Sequence, residues 1–325
     1  MTAATPVPDE PPMPRRMKAV EVRAFGGLDA MDYTDLPVPV PGPGQVLVRV
    51  HATDVGPWDA WIREGRSVLP QPLPLILGCD LSGTVAAMGP GVTGFAPGDA
   101  VFGVTDARFT GSYAEWAVAE ASMIARKPAR LSHVEAASVP VVATTAWQML
   151  FDRARVTAGQ RVLVLGGAGN VGLYAVQLAA WARAEVTATA VATQAAPVRA
   201  RGAREVVDLR AGLPDGCDGR FDAVIDTIGG DVLDHAYRLV RPGGALVSAV
   251  AMPDQARAER HGIRAEFILV SVTTAGLDRL RELFEGEVLT PQVGEVLPLS
   301  QARLAHEMLA GRAHRPGKIV LLPGA

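Results

Sequence analysis

Cysteine is nearly missing from this chain. Only Cys79 and Cys217 carry a thiol among 325 residues. That is too few for a disulfide framework or for a four-thiolate structural zinc site, and it fits a reducing, cytoplasmic setting. Aromatic residues make up 5% and the net charge is -3. No basic run with interleaved aromatics offers a footprint for nucleic acid, and nothing suits an anionic membrane surface. Long apolar runs are also missing: none approaches the roughly 20 residues of a membrane span. The first 16 residues, MTAATPVPDEPPMPRR, lack the apolar block of about 7–15 residues that a secretory signal needs. Their prolines predict a disordered tail over 1–16. No repeat of fixed period occurs, and His51, His133, His235, His261, His306 and His314 show no metal-ligand spacing such as H-E-x-x-H.

What is present is apolar and finely punctuated. Hydrophobic residues reach 49%, enough at this length for about two domains with sizeable cores. Residues 17–135 are dense in Pro and Gly, with short β-branched runs such as VLVRVHA (46–52), SGTVAAM (82–88) and AVFGV (100–104). Turn signals separate them, so this part reads as a compact, mostly β domain. Near residue 135 the pattern changes. EAASVPVVATTAWQMLF reads as helical, and from Gln160 strands and helices alternate. The strand-like runs are RVLVL (161–165), EVTATA (185–190), EVVDL (205–209), DAVIDT (222–227), ALVSAV (245–250) and AEFILV (265–270). Helix-like runs lie between several of them, and six strands so spaced predict a doubly wound parallel sheet, an α/β fold. The remaining tail, 272–325, carries two helical stretches and the closing strand KIVLLP. It is expected to return to the first domain, because the six-stranded sheet is already complete.

The strongest chemical signal is RVLVLGGAGNVG at 161–172. Gly167, Gly169 and Gly172 have the G-x-G-x-x-G spacing, and the segment follows an apolar strand and opens an apolar helix, as the mechanism requires. Gly167 is expected to permit the tight turn, Gly169 to let the backbone approach a pyrophosphate, and Gly172 to allow close helix–strand packing. With Asn170 and Val171 they would set the phosphates among the free N–H groups at a helix N-terminus. The plain alternative is an ordinary tight turn. A second signal is an absence. An NAD site usually carries an Asp or Glu about 20 residues further on, yet no acidic residue lies between Val186 and Glu205. Thr189, Thr193, Arg199, Arg201 and Arg204 stand there instead, and hydroxyls and guanidinium groups suit a 2′-phosphate. This favours NADPH, against the alternative that the arginines are a solvated helix face.

These motifs together resemble a known family. PVPVPGPGQVLVRVHATDVGPWD (37–59), ILGCDLSGTVAAMGPGVTGFAPGDAVFG (76–103), GSYAEW (111–116), TTAWQML (144–150), LVLGGAGNVGLYAVQLA (163–179), DTIGG (226–230), RPGGALVS (241–248) and GKIVLLP (317–323) are similar to the zinc-independent quinone oxidoreductases, the ζ-crystallin-like branch of the medium-chain dehydrogenase/reductase superfamily. The resemblance runs from about Met17 to the end. It implies a GroES-like mostly-β domain over 17–135, completed by 272–325, around a Rossmann domain over 136–271, with the coenzyme in the cleft between them. It also implies a homodimer.

The departures from the family sharpen the expectation. Zinc-dependent relatives carry a catalytic Cys where this chain has Gly56, and their catalytic His falls on Cys79, so a Cys₂His site cannot form. Without that Lewis acid, alkoxide chemistry loses several kcal/mol of charge stabilisation. The expected substrate is therefore a quinone or an α,β-unsaturated carbonyl compound, which delocalises the incoming charge. Many relatives have Asn at position 56 and Tyr at position 61. Trp61 cannot replace that Tyr as an acid, which weakens the enoyl-thioester reductase alternative of lipid or polyketide metabolism. A third reading is a nucleotide-binding protein without turnover.

The resemblance implies roles residue by residue. Thr145 would face the nicotinamide and the substrate and donate to the developing enolate, and Trp58 and Trp61 would form an aromatic wall. The alternatives are a helix hydroxyl bonded to its own backbone and ordinary core tryptophans. Thr189 and Thr193 would lie near the adenosine ribose, with Arg199 toward the 2′-phosphate. Asp226, Thr227, Ile228 and Gly229 would border the coenzyme. Ser248, Ala249 and Val250 would lie beside its nicotinamide half, and Arg312 would reach the 2′-phosphate. Asp54, Asp59 and Asp80 sit in turn-rich segments where local capping is the commoner task, and the histidines receive no catalytic role.

Overall fold

The structure is a computed structural model and describes residues 13–208 and 217–324. Strands β1 (Arg16–Val22) and β2 (Met31–Pro37) form an antiparallel pair, and short β4 (Leu75–Ile76) joins β1. The tail expected over 1–16 must be shortened. Arg16 pairs with Pro37, its guanidinium donates to the Asp35 carbonyl at 2.7 Å, and Val38 donates to the Arg15 carbonyl. Residues 1–12 of that tail lie outside the described residues.

A second sheet has β3 (Gln45–Val55) at its centre, buried along most of its length because QVLVRVHATDV supplies apolar or small residues to both faces. Antiparallel to it run β5 (Asp80–Met88) and β7 (Trp116–Glu120), and β6 (Ala100–Val104) and β8 (Ile124–Arg126) extend the sheet beyond β5. Helix α1 (Pro57–Arg63) starts directly after β3, with Pro57 at a position where no amide proton is required.

The single helical stretch expected at 135–151 is two helices. α2 (His133–Ala137) opens with a capping box in which Ser132 accepts from the Glu135 amide and Glu135 accepts from the Ser132 amide. Pro140 then breaks the run, because it lacks an N–H and would collide with the preceding turn. α3 (Pro140–Trp147) begins there and continues as a wider π-helical turn over Gln148–Arg153.

Six parallel strands follow: β9 (Arg161–Leu165), β10 (Glu185–Thr189), β11 (Glu205–Val207), β12 (Phe221–Asp226), β13 (Val240–Ser248) and β14 (Arg264–Phe267). Their order is β11-β10-β9-β12-β13-β14, the doubly wound arrangement. Their apolar runs are nearly continuous because helices cover both faces. Leu209, the end of the expected third strand, lies outside the described residues. Helix α4 (Asn170–Trp181) packs against α3, which joins the two parts of the chain. Two shorter helices, α5 (Ala195–Ala200) and α6 (Gly230–Ala236), follow β10 and β12, and α7 (Gln255–His261) precedes β14.

The tail forms α8 (Thr274–Glu285), β15 (Val293–Pro298), α9 (Ala302–Leu309) and β16 (Lys318–Leu322). β15 pairs with β16, and β16 pairs antiparallel with β3. The last strand thus enters the first half's sheet.

Candidate active site

In a sheet of this order the crevice opens where neighbouring crossovers leave in opposite directions. Here that point lies between β9 and β12, and three loops meet at the strands' C-terminal ends. The first is the glycine loop. Gly166 has φ +84, so the residue that must turn left-handed is Gly166 and not Gly167, contrary to expectation. Gly167 is needed for another reason: a Cβ there would stand 2.7 Å from the Ala188 methyl on β10. A Cβ on Gly172 would stand 2.0 Å from the Gly166 carbonyl oxygen, so close packing at that position is as expected. Gly169 and Asn170 are exposed, and no side chain caps α4 there. The helix start is therefore free to receive an anion. Val171 follows on the first turn, half-buried.

Thr189 is 1% exposed. Its Oγ1 accepts from the Gly166 amide at 2.9 Å, and its carbonyl accepts from the Gly167 amide at 2.8 Å. Its observed task is to hold the loop. Asp226 and Ser248 are likewise buried. Asp226 Oδ1 accepts from the Ile228 and Gly229 amides at 3.0 Å each, while Oδ2 accepts from Ser248 Oγ at 2.7 Å. Ser248 Oγ in turn accepts from the Val250 and Ala251 amides at 3.2 Å. Thr227 Oγ1 donates to the Leu165 carbonyl at 2.7 Å. These polar groups shape the second and third loops, and the exposed faces are left to Ile228 and Val250, with Ala249 half-buried between.

The basic candidates separate. Thr193 and Arg199 are exposed just beyond β10. Arg201 donates to the Thr290 carbonyl at 2.6 Å, and Arg204 pairs with Glu185 at 3.3 Å. Arg312 follows α9 and pairs with Glu307 on that helix.

Thr145 lies on α3, 6% exposed, and its Oγ1 donates to the Val141 carbonyl at 2.7 Å. The hydroxyl proton is thus committed within the helix. The two tryptophans have different surroundings. Trp61 is 44% exposed, whereas the Trp58 indole folds over Gly56, with Lys318 Nζ 4.9 Å from its centre. A Cβ at position 56 would stand 2.2 Å from Trp58 Cζ2, so the missing side chain makes room for the indole. Cys79 is fully buried and donates to Asp80 Oδ2 at 3.4 Å. Burial, then the nearby carboxylates, push its thiol pKa up, so the metal-binding thiolate is disfavoured. No three His, Cys, Asp or Glu side chains converge on a metal site among the described residues.

Beneath Gly56 lies a buried polar network that the sequence did not single out. Asp59 caps the Gly56 amide at 2.8 Å and also accepts from Tyr113 Oη at 3.1 Å. Asp54 pairs with Lys318. Asp80 accepts from the Val141 amide at 2.7 Å and so holds the first turn of α3. Local capping, expected for these aspartates, describes Asp59. Asp54 and Asp80 make long-range contacts instead.

Comparison with known proteins agrees with this fold. The alcohol dehydrogenase GroES-like domain model matches residues 42–129, and the zinc-binding dehydrogenase model matches residues 201–321. A mitochondrial NAD(P)H oxidoreductase of Danio rerio is 31% identical, covering 94% of this chain and 91% of its own. A quinone oxidoreductase of Lama guanicoe is 30% identical, covering 95% and 98%. The solved quinone oxidoreductase of Coxiella burnetii superposes with TM-score 0.85 at 32% identity, covering 94% and 99%.

Proposed function

The chain belongs to the quinone oxidoreductase family of the medium-chain dehydrogenase/reductase superfamily, which makes it an NAD(P)H-dependent oxidoreductase; from that premise we propose that it uses NADPH to reduce quinones or α,β-unsaturated carbonyl compounds without a metal ion. The observation that carries the coenzyme part is the uncapped start of α4 beside the exposed Gly169, which suits a diphosphate. The absence of a carboxylate across 186–204, with Arg199 exposed there, suits a 2′-phosphate. Zinc is disfavoured by the donors themselves: Gly56 offers no ligand, and Cys79 holds its proton.

When bound, NADPH supplies two electrons as hydride. The chain supplies the setting. Asp226 and Ser248 fix the loops that face the coenzyme, and Ile228 and Val250 exclude water from the cleft. Thr145 can offer its hydroxyl to the oxygen of the reduced acceptor by turning it away from the Val141 carbonyl, and water completes the protonation.

The test follows NADPH absorbance with a panel of quinones, enones and enoyl thioesters, with NADH in parallel. Quinones or enones should be reduced fastest, NADPH should outperform NADH, and chelators should leave the rate unchanged. Equal rates with the two coenzymes, or stoichiometric zinc by elemental analysis, would overturn the corresponding part.

A further inference from the structure

We propose that Asp59 is a positioning residue for the reaction: a one-way chain of donors, from Arg63 to His306 to Tyr113, holds its carboxyl against the Gly56 amide, and the charge on that carboxyl sets the Gly56–Trp58 turn beside which the acceptor binds. The inference rests on the proposed function for the placement of the acceptor.

The direction of the chain follows from what each group can do. Arg63 has only donors, so the 2.7 Å contact from its Nη1 makes His306 Nδ1 an acceptor. A neutral imidazole that accepts at Nδ1 carries its proton on Nε2. The 3.4 Å contact to Tyr113 is then a bond donated by His306, which turns the Tyr113 hydroxyl proton toward Asp59 Oδ2 at 3.1 Å. The neutral state of His306 agrees with its surroundings, since burial and then the Arg63 charge lower its pKa to about 3. The same Asp59 oxygen accepts from the Gly56 amide at 2.8 Å, while Oδ1 is buried with no partner. Three distant parts of the chain, namely α1, the loop before β7 and α9, thus converge on one carboxyl. All four side chains are nine-tenths or more buried.

Such a site is poised to change charge. Burial raises the Asp59 pKa to about 7. The Gly56 amide opposes that rise, the Asp54 charge from β3 adds to it, and Lys318 from β16 and Tyr113 oppose it. The other ionisable groups of this network are Cys79 and Asp80 from the β5 side, and Arg63 with its partner Glu64 at the end of α1. A carboxylate accepts the Gly56 proton about twice as strongly as a neutral acid does. The turn is therefore tight above pH 7 and slackens below. With no Cβ between Gly56 and the indole, any shift of the turn reaches Trp58.

The experiment reads the Gly56 amide resonance of the full chain, without coenzyme, from pH 5.5 to 8.5, and the acceptor KM and kcat over the same range. The native protein should show an amide midpoint near 7. Tyr113→Phe, which loses a bond favouring the carboxylate, should move that midpoint upward, and Asp59→Asn should remove it. Acceptor KM should be about five- to tenfold higher at pH 6 than at pH 8, in keeping with the weaker bond, while NADPH affinity stays level. An amide that does not titrate, or keeps its midpoint in Tyr113→Phe, overturns the inference even if turnover is normal. If no acceptor is reduced, the proposed function fails first, and the amide titration still decides whether the chain governs the turn. Should Tyr113→Phe not fold, Asp59→Asn decides: an amide titration that survives it refutes the assignment.

Discussion

Gly169 and Gly172 stand three residues apart in one loop, yet a side chain added at each meets different surroundings. At Gly172 a methyl would lie 2.0 Å from a backbone oxygen, which cannot yield without moving the loop. Gly172→Ala should therefore destabilise the protein by about 1–3 kcal/mol, as overpacking does, and weaken coenzyme binding only as a consequence. At Gly169 a Cβ would have a single neighbour, the Gly166 carbonyl oxygen at 3.2 Å, and φ is -76. Gly169→Val should keep the fold, with about 1 kcal/mol lost from a poorer cap, but should block the approach of a diphosphate. Thermal melts and NADPH titration of the two variants separate these effects. NADPH affinity unaltered in Gly169→Val would refute the phosphate-loop assignment. The spacing of these glycines was legible in the sequence; which of them makes the turn was not, because backbone sign at Gly166 depends on its tether to Thr189 on the next strand.

The elements show why some of the site could be foreseen and some could not. Strands β9 to β13 announce themselves as apolar runs, and α4 as the apolar helix after the loop. Information of that kind is local. The Asp59–Tyr113–His306 contacts span 54 and 193 residues, and Asp59 alone reads as an ordinary helix cap. In the sequence α2 and α3 read as one helix because the small residues around Ser138 mask the break that Pro140 enforces. The segment after β10 offers a sharper test. Three arginines looked equivalent in the sequence, but Arg201 is held by the Thr290 carbonyl and Arg204 by Glu185, which leaves Arg199 on α5 exposed. Arg199→Ala should raise the NADPH dissociation constant about tenfold, the scale of one charged hydrogen bond, and leave NADH unchanged. Arg204→Ala should alter neither. Matched losses for both coenzymes in Arg199→Ala would mean that this side chain does not meet a 2′-phosphate.

In the whole molecule the C-terminal strand meets the first half's sheet at Lys318. This residue opens β16, is 2% exposed, donates to the Val55 carbonyl at 3.2 Å, and pairs with Asp54 on β3. Asp80, which holds the first turn of α3, adds to its field. One ammonium is therefore paired with one buried carboxyl group, feels the charge of a second, and ties the closing strand to the first half's sheet. Burial raises the pKa of both Asp54 and Asp80, and Lys318 opposes the rise. Lys318→Met removes that opposition, so both carboxyls should hold their protons to higher pH. A group whose folded pKa is raised adds stability at low pH and loses it as pH climbs through the folded value. The variant should thus lose about 3–5 kcal/mol at pH 8.5, the usual cost of breaking a buried pair, and less at pH 5.5, because the raised carboxyl pKa values make proton uptake easier as pH falls. Denaturant unfolding at the two pH values measures this. Adding Asp54→Asn to Lys318→Met should recover part of the alkaline loss, because one buried carboxylate then no longer has to form. A loss of equal size at both pH values would show that Lys318 acts through packing on Trp58 and β3 rather than through its charge.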